Sequence, residues 1–447
     1  MTVPTGVTSA LATDLYQLTM MAGYFRTGRH TRLATFELFT RRLPANRRFM
    51  LFAGLDQALE YLEQLRFTES EITWLAALPA LSRAPAGFAD YLRRFRFTGD
   101  VWAMREGTPF LPDEPVLRVT APLAEAQLVE TALLAIVNFQ TSIASKAVRV
   151  VHAAAGRPVL EFGARRAHGT EAALLAARAA HIAGCASTSF VEAGRRFGIP
   201  LSGTMAHSWV LAAESEEQAF RDFAALYGPE AVLLLDTFDV RLATAAVAAS
   251  GLTPSAVRLD SGDLLPLSRE VREILDRGGL AATRILVSGD LDEWRIRDLV
   301  AAAAPIDGYA VGTALSTSED APALGGVYKL VEIERTSGTR AVMKRSPGKR
   351  TQPGAKQVWR LLDDGVAERD RVGLAGEEGP DGAAALLERV MQNGVRLSPT
   401  PAIDALRHEC AERVSAMPES IRSLDAGNRY PVETSAGLAR LIDADSA

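Results

Sequence analysis

Cysteine is nearly missing from this chain of 447 residues, and so is any long apolar run. The only thiols, Cys185 and Cys410, are too far apart for a CxxC pair and too few for a cysteine-rich zinc site. That scarcity fits a reducing, cytoplasmic setting. Even Ala132–Phe139 is too short to cross a bilayer. The opening MTVPTGVTSALATDLYQ lacks the basic start and apolar core of an export signal, so neither membrane insertion nor export is expected. Charge of one sign is also lacking: 49 Lys and Arg stand against 54 Asp and Glu, a net −5. A slightly acidic chain gives no electrostatic reason to hold nucleic acid, and none is expected as a partner.

Several catalytic signatures are absent too. Without GxxxxGK[ST], any use of ATP is not of the P-loop kind, and no GxSxG elbow appears. No GxGxxG follows a strand, which counts against a nicotinamide-dinucleotide dehydrogenase. No lysine lies between Lys146 and Lys329, which removes the Schiff-base nucleophile of a barrel aldolase from that region. The six histidines include no HExxH or other close metal-ligand spacing, so no protein-held metal is expected.

What is present is a change of rhythm. After Thr13-Asp14, apolar residues at Leu15, Leu18, Ala22 and Phe25 predict a capped amphipathic helix. Leu33–Thr40 alternates like a half-buried strand, and Phe97–Thr120 reads as strands broken by Gly107, Pro109, Pro112 and Pro115. From Ala124 to Arg149 helices are expected. Short apolar runs then recur with helical stretches between them: Pro158–Phe162, Ile199–Ser202, Ala231–Leu235, Ala256–Leu259, Arg284–Val287 and Gly308–Val311. Six βα units in a row favour an α/β barrel. Beyond Gly325-Gly326, Val327–Glu334 and Ala341–Lys344 read as strands and Ser346–Ala355 as a loop, with later segments helical. The divisions expected are 1–123 (α+β), 124–326 (barrel) and 327–447, packing with the first.

Ligands gather at the carboxyl ends of parallel strands, so the residues just after each run carry the chemistry. Gly312-Thr313 is a candidate phosphate cradle, although a bare Gly-Thr pair is commonly an ordinary turn. Arg165, Arg166 and Arg258 offer forked donors for carboxylate or pyrophosphate, although most arginines are solvated or surface-paired. Asp260-Ser261-Gly262-Asp263 sets two carboxylates within reach of ribose hydroxyls or substrate-borne magnesium; a helix cap is the equally good bland account. Ser288-Gly289-Asp290 echoes that turn. His207, beside Thr204 and Ser208, can act as a base, a hydrogen-bond donor or a phosphoryl acceptor. His152, His168, His181 and His408 read as structural.

Seven blocks then stand in order: Thr13-Asp14-Leu15-Tyr16-Gln17, Glu161-Phe162-Gly163-Ala164-Arg165-Arg166, Gly203-Thr204-Met205-Ala206-His207-Ser208, Leu235-Asp236-Thr237, Val257-Arg258-Leu259-Asp260-Ser261-Gly262-Asp263-Leu264, Val311-Gly312-Thr313 and Gly325-Gly326-Val327-Tyr328-Lys329-Leu330. From residue 13 to about 360 they resemble the motifs of nicotinate phosphoribosyltransferases. The resemblance implies a type II phosphoribosyltransferase fold, an irregular α/β barrel with a second α+β domain formed by the N- and C-terminal portions, and a homodimer. It implies transfer of phosphoribosyl from phosphoribosyl pyrophosphate to nicotinate in NAD salvage, with ATP hydrolysis coupled through a phosphohistidine and Mg2+ carried by the phosphates. By motif, His207 resembles the phosphorylated histidine, with Asp260 and Asp263 as its catalytic acids. Tyr16, Thr204, Arg258 and Arg165 resemble nicotinate contacts. Gly312, Thr313, Ser288, Gly289, Asp290 and Arg166 resemble phosphoribosyl pyrophosphate contacts. Nicotinamide as acceptor, and a non-catalytic nucleotide sensor on the same barrel, are the alternatives. Residues after about 370 receive no role.

Overall fold

The computed structural model describes residues 9–346, 349–425 and 429–444. The mixed α/β chain divides into two units, one of residues 9–145 with 323–444 and one of Lys146–Pro322. The chain leaves the first for the second within the helix Glu130–Ala153.

In the first unit, an antiparallel seven-stranded sheet runs in the order Gly338–Ala341, Gly326–Arg335, Leu33–Thr40, Leu117–Pro122, Asp100–Ala103, Glu388–Gln392, Val395–Arg396. The expected half-buried strand Leu33–Thr40 is central in this sheet, and only its first residue is exposed. Its Phe36 stacks on Tyr328, with ring centroids 5.0 Å apart, and Tyr328 donates to Ala126 O at 2.8 Å. Full burial of such a side chain contributes about 1.5–3 kcal/mol, and the paired hydroxyl avoids an unsatisfied polar group in the core. The helix Leu15–Arg26 forms as its periodicity predicts and buries Leu18, Met21 and Ala22. Asp14 occupies the cap position but does not cap with its side chain; its carboxylate accepts from Thr131 instead.

The C-terminal portion departs from expectation. Lys356–Asp363 and Val366–Leu374 form a hairpin within a four-stranded sheet, where helices were expected. Its turn, Asp364-Gly365, has positive φ at both residues, as a tight hairpin requires. The strand expected at Ala341–Lys344 instead lies at Gly338–Ala341, because pairing with Gly326–Arg335 is set by the turn between the two strands. Helices do follow, at Ile403–Ser415 and Ala436–Ala444. Of the expected loop Ser346–Ala355, residues 347 and 348 lie outside the described residues.

The second unit is α/β. Its parallel sheet curls as a half-barrel in the order Ser187–Thr188, Val159–Glu161, Gly308–Val311, Arg284–Val287, Ala256–Leu259, Val232–Leu234. Five of the six expected runs form its strands. Ile199–Ser202 does not: Pro200 has no N–H to offer a ladder, and Leu201 makes only an isolated bridge to Thr188. The sixth strand is the polar pair Ser187–Thr188. Asp239, Asp263 and Asp292 cap the helices Val240–Ala249, Leu264–Arg277 and Glu293–Ala301 by accepting from backbone N–H groups. Among the described residues, no helix is long and apolar enough to cross a membrane.

Candidate active site

The carboxyl ends of four of these strands surround a cavity of about 410 Å³ within the second unit. Phe162 follows Val159–Glu161, Asp260 follows Ala256–Leu259, Ser288 follows Arg284–Val287 and Gly312 follows Gly308–Val311. Arg165, Arg166, Arg258, Gly289, Asp290 and Thr313 also line it.

At the centre is a closed hydrogen-bond circuit. Arg258 donates from Nη2 to Asp260 Oδ1 at 2.8 Å, from Nε to Ser288 Oγ at 2.9 Å and from Nη1 to Thr204 Oγ1 at 3.1 Å. Ser288 in turn donates to Asp260 Oδ1. Asp236 Oδ2 accepts from the backbone N–H of Asp260 at 3.0 Å and from Ser261 Oγ, fixing the turn that carries Asp260. Burial pushes the Asp260 carboxyl up, but the Ser288 and Arg258 hydrogen bonds and the Arg258 charge outweigh it and hold the carboxyl below the ordinary aspartate value. His207 begins the short helix His207–Leu211. Its Nδ1 lies 3.1 Å from Thr237 Oγ1 and its Nε2 3.9 Å from Asp260 Oδ2.

Two glycines are demanded by this packing. A Cβ on Gly289, which has φ +88°, would lie 1.9 Å from Asp260 O, and one on Gly163 would lie 2.3 Å from Ser316 Oγ. Arg295 ties the turns together by donating to Gly289 O at 3.2 Å and Gly262 O at 3.4 Å. Beneath them Glu161 is buried; burial raises its carboxyl above the ordinary value, while hydrogen bonds from Thr188 and the Gly163 N–H counter that shift.

The expected residues therefore separate into three groups. Arg165, Arg166, Asp290, Gly312 and Thr313 line the cavity, and the two exposed arginines have no side-chain partner among the described residues. Arg258, Asp260, Ser288 and Thr204 are joined to one another, so their polar groups are largely committed. Asp263 is not in the cavity lining and caps its helix, its Oδ1 accepting from Leu265 N at 3.4 Å. Tyr16 belongs to the first unit, half exposed on Leu15–Arg26. Thr237, Arg295 and Glu319 gained no role from the sequence; Thr237 satisfies the strand-end rule, whereas nothing local marks Arg295 or Glu319.

Comparison with known proteins is decisive about kinship. The chain is 46% identical over 450 residues to a nicotinate phosphoribosyltransferase of Mycobacterium tuberculosis, covering 98% of this chain and 95% of the relative. It belongs to the nicotinate phosphoribosyltransferase family. Residues 11–138 match the family's N-terminal domain model and residues 380–442 its C-terminal domain model, so the motif-poor segment after 370 is part of the family pattern. The Bacillus subtilis nicotinate phosphoribosyltransferase is 39% identical, covering 95% of this chain and 93% of that protein. Among solved structures, human nicotinic acid phosphoribosyltransferase superposes with a TM-score of 0.83 at 29% identity, covering 97% of this chain and 100% of that one. A nicotinate-nucleotide pyrophosphorylase from Pyrococcus furiosus gives 0.74 at 27% identity, covering 91% and 95%.

Proposed function

We propose that the protein transfers a phosphoribosyl group from phosphoribosyl pyrophosphate to the ring nitrogen of nicotinate, with ATP hydrolysis coupled through phosphorylation of His207. The pyridine lone pair forms the new bond to the ribosyl carbon as the carbon–oxygen bond to pyrophosphate breaks. Positive charge develops on the sugar and negative charge on the leaving group. No general base is needed, so orientation and anion stabilisation carry the rate. The observation that supports this most is the pair of guanidiniums, Arg165 and Arg166, that line a cavity walled by strand ends and have no side-chain partner among the described residues. An anion of two phosphates satisfies them.

Arg258 holds the nicotinate carboxylate by exchanging part of its circuit with Asp260, Ser288 and Thr204 for the ligand. Tyr16 is assigned to the pyridine ring by its motif alone. The Gly312-Thr313 and Ser288-Gly289-Asp290 turns receive the phosphoribosyl phosphates. For His207 to accept phosphate from ATP at Nε2, Nδ1 must carry the proton and donate to Thr237. The nitrogen–phosphorus bond then forms as the bond to ADP breaks, and the phosphoenzyme's added charge reorganises the site before water removes it. Magnesium arrives on the phosphates. Asp236, whose Oδ1 is buried without a partner, and Asp290 are hard oxygen donors suited to it, and it would neutralise the departing pyrophosphate. The working form is a cytoplasmic homodimer in NAD salvage.

Purified protein given nicotinate, phosphoribosyl pyrophosphate and Mg-ATP should yield nicotinate mononucleotide, pyrophosphate and ADP. Product without ADP would remove the coupling and keep the transfer; no product would remove both and favour a sensor.

A further inference from the structure

A separate cavity of about 190 Å³ is lined wholly by residues of the first unit. The register explains its walls. Thr35 faces Thr120 across one strand pair and Glu332 across the other, while Arg118 faces Trp102, so these side chains share one face of the seven-stranded sheet.

Arg118 is only 5% exposed. Its guanidinium lies 4.4 Å from the Trp102 ring centroid, and Nη1 donates to Lys356 O. Among the described residues it has no ion-pair partner. Its cross-strand neighbour Glu37 is taken by Lys356, whose Nζ and backbone N each lie 2.7 Å from a Glu37 oxygen. Burial lowers Arg118 from its ordinary value, and the charges of Glu37 and then Glu332 offset part of that shift. Glu332 accepts from Ala355 N at 2.9 Å through Oε1 and, although its charge reaches Arg118, makes no ion-pair contact among the described residues. Both charges line the cavity, with Thr339 and the small side chains of Ala355 and Ala375.

A buried charge without an ion-pair contact is costly, and here buried Arg118 shares one space with half-buried Glu332, the two attracting without an ion-pair contact among the described residues. A simple anion suits Arg118 but meets Glu332; a simple cation has the reverse difficulty. A molecule carrying both signs answers both. The volume equals about six water molecules of liquid, which suits a ligand of few heavy atoms.

We propose that this cavity binds a small zwitterion, an α-amino acid with a short side chain, its carboxylate on Arg118 and its ammonium on Glu332. The donors on one wall and the acceptor on the other fix its orientation, and the threonine hydroxyls favour polar over branched apolar ligands.

Isothermal titration of the full chain with L-alanine, propionate and ethylamine tests this, because the last two each keep one of alanine's charges. Alanine should bind at least tenfold more tightly than either. Glu332→Gln, which keeps the acceptor for Ala355 N, should weaken alanine at least tenfold and leave propionate unchanged or tighter. Arg118→Met should abolish both; should it fail to fold, Glu332→Gln still decides. Absence of alanine binding to the unaltered protein, or alanine affinity indifferent to Glu332→Gln, overturns the proposal. The readout is binding, so the result does not depend on turnover in the other cavity.

Discussion

His207 Nδ1 sits 3.1 Å from Thr237 Oγ1 while Nε2 faces the Asp260 carboxylate at 3.9 Å, so a threonine hydroxyl and a carboxylate hold the imidazole between them. Thr237→Val removes that partner without removing the ring. ATP hydrolysis should fall about tenfold, and Thr237→Ser should restore it. An unchanged rate in the valine variant would show that the hydroxyl does not position the ring.

His207→Ala should abolish ATP hydrolysis and the acid-labile phosphoenzyme while slow, ATP-independent formation of nicotinate mononucleotide persists. Radiolabelled γ-phosphate transfer and product assays with and without ATP check the two halves. Normal ATP coupling in this variant would refute the phosphohistidine.

Arg258→Ala should raise the KM for nicotinate about 10–100-fold, because a forked carboxylate partner is lost, and change that for phosphoribosyl pyrophosphate less than about threefold. Nicotinamide, having no carboxylate, should compete poorly with nicotinate in the unaltered protein and nearly as well in the variant. Equal weakening of both substrates would mean that Arg258 acts only through the Asp260 and Ser288 circuit.

Gly289→Ala places a Cβ where Asp260 O already is, at a φ that disfavours any side chain. It should cost at least about 2 kcal/mol in urea unfolding and disable turnover, since relief of the clash moves Asp260. Gly203→Ala, with open space around it and an ordinary φ, should change stability by less than about 0.5 kcal/mol.

Burial pushes the Glu125 carboxyl up to about 7 from the ordinary 4.5, although Thr98 donates to it from both N and Oγ1. A carboxyl whose pKa is higher in the folded chain binds more protons there. Stability is therefore greatest below the unfolded value and declines as pH rises from about 4.5 to about 7, by at most about 3 kcal/mol. Glu125→Gln should flatten that slope in urea titrations; a slope that survives the substitution would assign it elsewhere.

The parallel sheet was legible in the sequence because strands buried on both faces need continuous apolar runs, and five of its six strands, including Ala256–Leu259 and Arg284–Val287, carry them. Ser187–Thr188 was not, since two polar residues held between neighbours carry no hydrophobic pattern. The hairpin after residue 355 did carry a signal in Asp364-Gly365, and Asn393-Gly394 repeats it with positive φ at both residues. Charged residues interleaved along those strands masked the alternation. At the candidate site, the strand-end rule found Arg165, Arg258, Asp260, Ser288 and Thr313. What it could not show is commitment: that Arg258, Ser288 and Asp260 are bonded to one another, or that Asp263 caps a helix, depends on side-chain directions that no local pattern encodes. Arg295 braces two turns from a helix and was invisible for the same reason.

Exposed Arg165 and Arg166, without a side-chain partner among the described residues, contrast with Arg258, which Asp260 already pairs. Among the arginines that line the cavity, long-range attraction for an anion thus comes from the first two, and mobile ions weaken it. Added salt should slow the capture of a polyanionic sugar while scarcely touching the arrival of a singly charged pyridine. Ionic strength thereby becomes a handle on which reactant enters first.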